Sequence, residues 1–395
     1  MKLYRAIGVF RLALSIASML SPTLAAPAIG GATEERATKA DSCLIYTGSY
    51  SEAKDDGIQV FSLNLSSGAL TKVGGTSGVK NPSFLAIHPS KKFLYAVSET
   101  NEFSGKKVGA VAAFALDDKG VPTLLNAQSS EGLAPCHISV DKAGKNALVA
   151  NYGSGHVAVV PIGFDGKLGA PTCVIHHEGT SVDKNRQEGP HAHSINLDPA
   201  NKFAFAADLG LDKIMVYKFD GAKGTITPND PPAVAVPPGS GPRHFAFHPS
   251  GKYAYACGEM TSTVIAFAYD ADKGVLREQQ VLSTLPQETK GNSTAETQVS
   301  PDGRHVYVSN RGHNSVAVFD VDEATGKLKA AGHCPTGGKT PRNFGIDPSG
   351  KWLIAANEDS GNVVVFKIDA KSGMPSPAGH EVQVSKAVCV KFLVK

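Results

Sequence analysis

One β-hairpin recurs along this chain, and its repetition restricts the possible folds more than any other feature. In the clearest copy, residues 241–259 (GPRHFAFHPSGKYAYACGE), two apolar strands flank a Pro-Ser-Gly turn. Phe245, Phe247, Tyr253 and Tyr255 alternate with small residues, which is the period-two pattern of β-strands. Pro fixes φ and Gly accepts a positive φ, so Pro-Ser-Gly favours a turn. Further copies lie at residues 81–99, 134–152, 192–209, 294–311 and 340–358.

A third strand follows each hairpin and has the form Val-x-Val-Phe or a close variant. Its seven copies are about 46 to 57 residues apart and begin at Ile58, Val111, Val157, Ile214, Val264, Val316 and Val363. Most are followed by an Asp- and Gly-containing turn and then a more variable fourth strand. Four-stranded units repeated at this period are typical of propeller blades.

The two ends of the repeat array complement each other. Cys43–Tyr50 aligns with the second hairpin strand, and Ala387–Phe392 aligns with the first. Pairing these segments would complete a seventh blade and remove two exposed sheet edges. We therefore predict an all-β protein, a seven-bladed β-propeller spanning residues 43–394 as one domain, whose closing blade is shared by the N- and C-terminal strands. A pair of β-sandwiches is the alternative, but it does not predict the split blade.

The N-terminus has the pattern of a secretory signal peptide. Basic residues precede an apolar stretch centred on residues 12–20, and small residues follow at 23–28. The stretch is too short to span a bilayer. We predict a signal peptide at residues 1–25, a disordered lead-in at 26–42, and an exported protein in the periplasm or outside the cell. An uncleaved interfacial anchor is the alternative.

Charge restricts the classes of binding partner, and cysteine spacing indicates whether disulfides form. The chain has 39 Lys and Arg against 36 Asp and Glu, and removing the signal peptide leaves 36 against 36. A chain without net charge has no overall field to attract nucleic acid or an anionic membrane, so we expect neither partner and no membrane span in the mature chain. The six cysteines are irregularly spaced without a C-x-x-C pair, which favours buried thiols over a disulfide framework. We expect a monomer.

Polar side chains concentrate at the two strand ends that should share one face of a propeller. In each blade the innermost strand starts at the same channel mouth at which its antiparallel neighbour ends. The starts carry His137, His193, Arg243, His244, Glu296 and Arg342, and the ends carry Glu99, Asp208, Glu259, Asn310 and Arg311. A small ligand at this mouth would be surrounded by ionisable groups.

These residue types suit an anionic ester or lactone. The planar forks of Arg243, Arg311 and Arg342 match a carboxylate, a phosphate or a developing oxyanion. Glu259, Glu296, His193 and His244 are candidate general acids or bases. The alternative is an internal network that only fills the channel. His191 and His193 could share a metal, but no third ligand matches them, so we predict no metal and no cofactor.

With these motifs identified, the chain resembles the seven-bladed lactonase family, which groups propeller-type 6-phosphogluconolactonase with fungal carboxy-cis,cis-muconate cyclase. The resemblance spans nearly the whole mature chain and rests on residues 81–83, 135–137, 189–194, 208–212, 241–249, 309–312 and 341–344. It implies a ligand site at the channel mouth, and the four residues proposed as catalytic in the cyclase branch of the family correspond to His193, Arg243, Glu259 and Arg311. We predict that the substrate-binding residues are His137, Asp208, His244, Glu296, Asn310 and Arg342.

The sequence is compatible with three functions. An exported lactonase would hydrolyse a sugar-type aldonolactone, with Glu259 or His193 as base and Arg243 and Arg311 stabilising the oxyanion. A cyclase-type enzyme would instead add a carboxylate across a double bond of a carboxymuconate. A propeller without chemistry would bind a sugar or a protein partner. The preferred hypothesis is a lactone hydrolase whose partner is a small lactone or an anionic sugar derivative.

Overall fold

The computed structural model describes residues 42–394, and every regular element in that range is a β-strand. The strands form seven four-stranded antiparallel sheets. The predicted signal peptide and residues 26–41 of the predicted lead-in lie outside the described residues, while Ser42 is the first residue of a strand. No element within residues 42–394 is an apolar helix long enough to cross a bilayer.

Each sheet begins with an inner strand that is paired to a second strand. The inner strands are β4 (Leu85–Ile87), β8 (Pro135–Val140), β12 (Ala192–Leu197), β16 (Pro242–Phe247), β20 (Ser293–Val299), β24 (Pro341–Ile346) and β28 (Ala387–Leu393). The second strands are β5 (Phe93–Ser98), β9 (Asn146–Asn151), β13 (Phe203–Asp208), β17 (Tyr253–Gly258), β21 (His305–Arg311), β25 (Trp352–Asn357) and, for the closing blade, β1 (Ser42–Ser49).

Two outer strands complete each blade. The third strands are β2 (Ile58–Asn64), β6 (Ala110–Leu116), β10 (His156–Pro161), β14 (Lys213–Asp220), β18 (Thr263–Asp270), β22 (Ser315–Val321) and β26 (Asn362–Ile368). The outermost strands are β3 (Leu70–Thr76), β7 (Pro122–Ser129), β11 (Cys173–His176), β15 (Thr225–Ala235), β19 (Val275–Ser283), β23 (Leu328–Pro335) and β27 (Pro375–Gln383).

The inner strands form a closed ring. Each contacts the inner strand of the next blade, in the order β4, β8, β12, β16, β20, β24, β28 and back to β4. The closing blade has the strand order β28-β1-β2-β3, with Tyr46 opposite Lys391 and Gly48 opposite Cys389. The prediction of a seven-bladed β-propeller closed by its terminal strands is therefore confirmed.

Buried tyrosines on the second strands join one blade to the next. The Tyr95 hydroxyl donates to the Gly166 carbonyl at 3.0 Å, and the Tyr255 hydroxyl donates to the Gly326 carbonyl at 2.9 Å. Both glycines have positive φ, and a Cβ on either would overlap an aromatic ring of the preceding blade. Apolar packing and these hydrogen bonds hold the blades in register. All six cysteines are free thiols, and only Cys173 is partly exposed.

Candidate active site

The antiparallel pairing brings distant residues to one rim of the channel. In β20 and β21, Ser293 lies opposite Arg311. In β16 and β17, Pro242 lies opposite Gly258, so Glu259 follows directly at the rim. We call this end of the channel the upper mouth and the other end the lower mouth. The predicted geometric relation between strand starts and strand ends is what the structure shows.

The upper mouth contains a cavity of about 360 Å³, here called the upper cavity. It is lined by Glu99, Cys136, Tyr152, Arg186, His193, Glu259, Ser293, Arg311 and Arg342. A wider groove of about 550 Å³ adjoins it at Glu99, but the lining of that groove contains no histidine or arginine. Of these two spaces, the upper cavity is therefore the one in which arginine and histidine side chains converge.

Glu259 is the centre of this cluster. Its Oε2 lies 3.0 Å from Arg243 Nε and 3.0 Å from Arg311 Nη2, and its Oε1 accepts a hydrogen bond of 2.8 Å from Arg186. The Arg243 Nε–H does not point well enough at the carboxylate to form a hydrogen bond, so this contact is an ion pair. The main-chain carbonyls of Ala295 and Thr294 accept further hydrogen bonds from Arg243 and Arg311. One carboxylate thus holds three guanidinium groups in fixed positions.

Burial and charge act in opposite directions on this cluster. Burial alone would raise the pKa of Glu259, but Arg311, Arg243 and Arg186 outweigh it and lower that pKa to about 2. Burial, together with the neighbouring Arg243 and Arg342, lowers the pKa of Arg311 to about 10, against the opposing effect of Glu259. Both groups are therefore charged near neutral pH.

Arg342 anchors the opposite wall of the cavity. Its Nη2 donates to the Tyr50 hydroxyl at 3.0 Å, and Tyr50 contacts both carboxylate oxygens of Glu99 at 3.1 Å. Its Nη1 lies 3.8 Å from a Glu358 oxygen. Arg342 is the fourth guanidinium group at the upper mouth, after Arg186, Arg243 and Arg311. These four groups are accompanied by three carboxylates, those of Glu99, Glu259 and Glu358. The excess of positive charge suits an anionic ligand.

His193 contributes an imidazole to the upper cavity. Its side chain is almost fully buried, with Nδ1 3.6 Å from Cys136 Sγ and its ring edge-on to Tyr152. Within residues 42–394 no hydrogen bond of Nε2 is found, so this atom is available to water or a ligand. Burial, followed by Arg243, His244 and Arg342, holds the pKa of His193 well below its usual value. The imidazole is therefore neutral at neutral pH.

Three of the predicted substrate-binding residues do not share this cavity. His137, His244 and Glu296 line a second cavity of about 310 Å³, here called the lower cavity, at the later ends of the inner strands. The lower cavity is lined by Phe84, His137, Asn196, Leu197, His244, Phe245, Ala246, Phe247, Glu296, Thr297, Gln298 and Lys391. His244 lines this lower cavity, whereas the Arg243 side chain pairs with Glu259 at the upper mouth.

A narrow waist separates the two cavities. The space between them is only about 10 Å³ and is bordered by His193 and Arg342 from above and by Phe84 and His244 from below. A cavity must exceed about 10 Å³ to hold even one water molecule. The upper and lower cavities are therefore separate sites for any organic ligand.

Asp208 and Asn310 lie outside the lining of both cavities. The Asp208 carboxylate accepts hydrogen bonds from the main-chain amides of His191 and Gly210, and lies 2.6 Å from His177 Nδ1. Asn310 is fully buried and bonds to Thr284 through its side chain. Both side chains are occupied in fixing loops at the rim, so we do not include them in the proposed site.

Strand counting missed one charged contributor to the upper cavity, Arg186. This residue belongs to the 177–191 connection between β11 and β12, and its side chain is 44% exposed. The connection is fixed by Gln187, which bonds to the Asp183 amide and donates to the Leu209 carbonyl. The connection has no periodic hydrophobic pattern that would predict its conformation. The one local indication of an ordered loop is the possible turn between Asp183 and Gln187.

The described residues contain no group of three or more His, Cys, Asp or Glu side chains arranged to hold a metal ion. The Nδ1 atom of His191 lies 2.9 Å from the Tyr152 carbonyl, and its ring stacks on the Tyr152 ring. His191 therefore orients Tyr152 at the edge of the upper cavity.

Known proteins share this architecture along nearly the whole described range. The family model described as "Lactonase, 7-bladed beta-propeller" matches residues 44–392. The 6-phosphogluconolactonase of Bacillus subtilis is 39% identical over 301 residues, which is 76% of this chain and 83% of that protein. The 6-phosphogluconolactonase of Formosa agariphila is 35% identical over 307 residues, covering 76% of this chain and 86% of that protein.

A solved structure is similar to this chain over almost the same range. The periplasmic gluconolactonase PpgL of Pseudomonas aeruginosa superposes with a TM-score of 0.82 at 30% sequence identity. The match covers 90% of this chain and all of that protein chain. Proteins of closely similar fold thus carry names for both phosphorylated and plain sugar lactones.

Proposed function

Because this chain belongs to the seven-bladed β-propeller lactonase family, we propose that it hydrolyses a sugar-type aldonolactone in the upper cavity, in the manner of a 6-phosphogluconolactonase. The observation that carries the proposal is the position of the neutral His193 imidazole, which lines the same cavity as Arg186, Arg311 and Arg342. A base and an excess of fixed positive charge are the two requirements for adding water to an ester of an anionic sugar.

His193 acts as the general base in this proposal. Its Nε2 takes a proton from water while the water oxygen attacks the lactone carbonyl carbon. Arg311, backed by Arg243, stabilises the negative charge that develops on the carbonyl oxygen. The ring C–O bond then breaks, and the His193 imidazolium returns its proton to the departing alkoxide. The product is the open hydroxy acid, and no electrons are transferred.

Glu259 positions the arginines rather than accepting the proton. A carboxylate with a pKa of about 2 that is paired with three guanidinium groups is a weak base at neutral pH. Its removal would leave buried positive charges without a counterion. Glu259 therefore belongs to the catalytic cluster because it holds Arg243 and Arg311 in place.

Arg186 and Arg342 would bind the anionic or hydroxylated part of the sugar. Arg186 is the most exposed guanidinium of the cluster and reaches Glu259 from a loop, so it can turn toward a phosphate at the cavity entrance. The relatives named above include lactonases for phosphorylated and for plain gluconolactone. Export of the mature chain, supported by the N-terminal pattern and by the periplasmic location in the PpgL name, forms part of the same proposal.

Acid release at constant pH tests the hydrolysis directly. Purified protein is added to glucono-1,5-lactone and, in a parallel series, to 6-phosphogluconolactone, and the rates are compared with spontaneous opening. We expect a clear excess with at least one of these lactones. An unchanged rate with both would contradict the proposal. Loss of absorbance with a carboxymuconate, in the absence of hydrolysis, would instead support the cyclase-type reaction.

A further inference from the structure

The lower cavity carries polar groups that the hydrolysis does not use. Its lining includes the aromatic rings of Phe84 and Phe247 and the polar side chains of Asn196, Gln298 and Lys391. At about 310 Å³ the cavity is within the size range of small-molecule sites, roughly 300–1,000 Å³. The narrow waist means that an occupant must enter from the lower mouth.

Asn196 supplies an unused hydrogen-bond donor in this cavity. Its Nδ2 is buried and has no hydrogen-bond partner within residues 42–394. Gln298 occupies the corresponding strand position in another blade, and its amide bridges to the Phe344 carbonyl and the Ile346 amide of the next blade. Asparagine is one methylene shorter than glutamine. A buried donor without a partner is unusual and points to an occupant that accepts its hydrogen bond.

Thr297 adds a second polar group to the same cavity. The residue is 2% exposed, and within the described residues the weakly bonding thiol of Cys257 is the side-chain partner of its hydroxyl, which leaves acceptor capacity on Oγ1. Thr297 and Asn196 both line the lower cavity. Two separate blades thus leave hydroxyl- or amide-type groups available for a polar ligand.

Lys391 gives the lower cavity a positive charge that no carboxylate offsets at close range. Its Nζ lies 4.2 Å from the centre of the Phe84 ring, and no Asp or Glu oxygen of residues 42–394 is within 4.0 Å of it. The nearby Glu296 is bonded to His244 Nδ1, Asn343 Nδ2 and its neighbour's amide. Burial raises the pKa of Glu296 to about 7, so its negative charge is only partial at neutral pH.

We propose that the lower cavity is a second binding site, which takes a small polyhydroxy carboxylate with its carboxylate on Lys391 and its hydroxyl groups on Asn196 and Thr297. The aromatic rings of Phe84 and Phe247 would cover the carbon chain of such a ligand. The ligand class follows from the lining of the cavity alone. The further point that the product of lactone opening belongs to this class rests on the proposed function.

Calorimetric titration with sodium gluconate at pH 7 tests this site. The titration uses the Arg311→Met protein, in which anion binding at the upper cavity is weakened. Adding Lys391→Met should lower the remaining gluconate affinity by about tenfold or more, as expected for loss of one charge-assisted hydrogen bond. Sorbitol, which has similar hydroxyls but no carboxylate, should bind weakly and be insensitive to Lys391→Met. Lys367→Met on the exposed face of β26 is the matched control.

Asn196→Leu gives an independent test of the same site, because it removes the amide without changing any charge. It should also weaken gluconate binding, while thermal melting verifies that both variants remain folded. An isotherm that neither substitution changes, or an absence of gluconate binding, would overturn this inference. Neither result bears on hydrolysis, which is measured separately with lactones, so failure of one proposal is distinguishable from failure of the other.

Discussion

At the upper mouth the buried carboxylate of Glu259 meets three guanidinium groups, and its pKa falls to about 2. At the lower mouth the equally buried carboxylate of Glu296 bonds to an amide and to His244, whose own pKa burial holds well below its usual value. Burial there outweighs the more distant charges of Lys391 and Arg243 and raises the pKa of Glu296 to about 7. Burial disfavours the charged form in both places. The difference teaches that partner charge, rather than depth, decides which end of the channel concentrates charge near neutral pH.

The largest expected effect comes from removing the proposed base. His193→Asn should reduce kcat for lactone hydrolysis by about 10²- to 10⁴-fold, the usual range for general acid–base catalysis. The steady-state rate of acid release is the measurement. His248→Asn is a matched control, because the His248 ring only fixes a turn through Ser250 and Gly303.

The pH profile of the wild-type enzyme adds a second readout for His193. Its pKa is lowered, so the imidazole stays deprotonated to more acidic pH than an ordinary histidine. The acid limb of kcat/KM should therefore lie well below pH 6.5. Full activity in His193→Asn, or an acid limb at or above pH 6.5, would argue against this histidine as the base.

Loss of an arginine from the upper cavity should have the next largest effect. Arg311→Met should lower kcat by about 10²- to 10³-fold, the magnitude seen when one stabilising donor to an oxyanion is lost. Arg311→Lys should recover only part of this loss, since lysine lacks the planar fork. Arg304→Met is the control, because Arg304 is exposed and pairs with Asp302 in a turn. Equal rates for the Arg311 and Arg304 variants would contradict the role given to Arg311.

Glu296 should make the folded protein less stable as the pH rises. Its pKa is about 7 in the folded protein and 4.5 in an unfolded chain, so folding favours the protonated form. This contribution is complete below pH 4.5 and is lost between pH 4.5 and about 7. The loss amounts to about 3 kcal/mol of unfolding free energy. Urea denaturation of wild type and Glu296→Gln across this range measures it.

The unfolding free energies of wild type and Glu296→Gln should therefore depend differently on pH. The unfolding free energy of Glu296→Gln should fall less between pH 4.5 and 7 than that of wild type, because glutamine does not titrate. Parallel pH profiles would show that Glu296 ionises normally, and the contrast between the two mouths would then be lost.

The smallest effect is expected at the cavity entrance. Arg186→Met should raise KM for 6-phosphogluconolactone by about tenfold, in keeping with loss of one charge-assisted hydrogen bond, and change kcat little. KM for gluconolactone, which has no phosphate, should change less. Lys184→Met, on the same connection, is the control. If both substrates are affected equally, Arg186 does not recognise the phosphate.

The sequence was sufficient for the fold because the repeat reports strand number, strand order and the split blade. It was also sufficient to bring His193, Arg243, Glu259 and Arg311 to one mouth, because antiparallel pairing fixes which strand ends meet. The sequence could not predict that Arg243 lies at the upper mouth while His244 lines the lower cavity. The register shifts between Pro242 and Phe245, so the period-two rule does not tell which of the two faces upward.

The remaining gaps have similar physical causes. Arg186 lies on a connection without periodicity, where the side-chain direction depends on contacts such as those of Gln187. Lys391 belongs to the last inner strand, and its nearness to Phe84 exists only after the ring has closed. Contacts that depend on closure carry no local signal.

The shared blade also affects the order in which the molecule is completed. The edge of β1 finds its partner only when residues 387–393 become available, so a chain that is still being synthesised has at most six finished blades. Until then Lys391 is absent from the lower end, and the central passage has a gap along one side. Completion of the lower binding pocket therefore coincides with the final step of assembly.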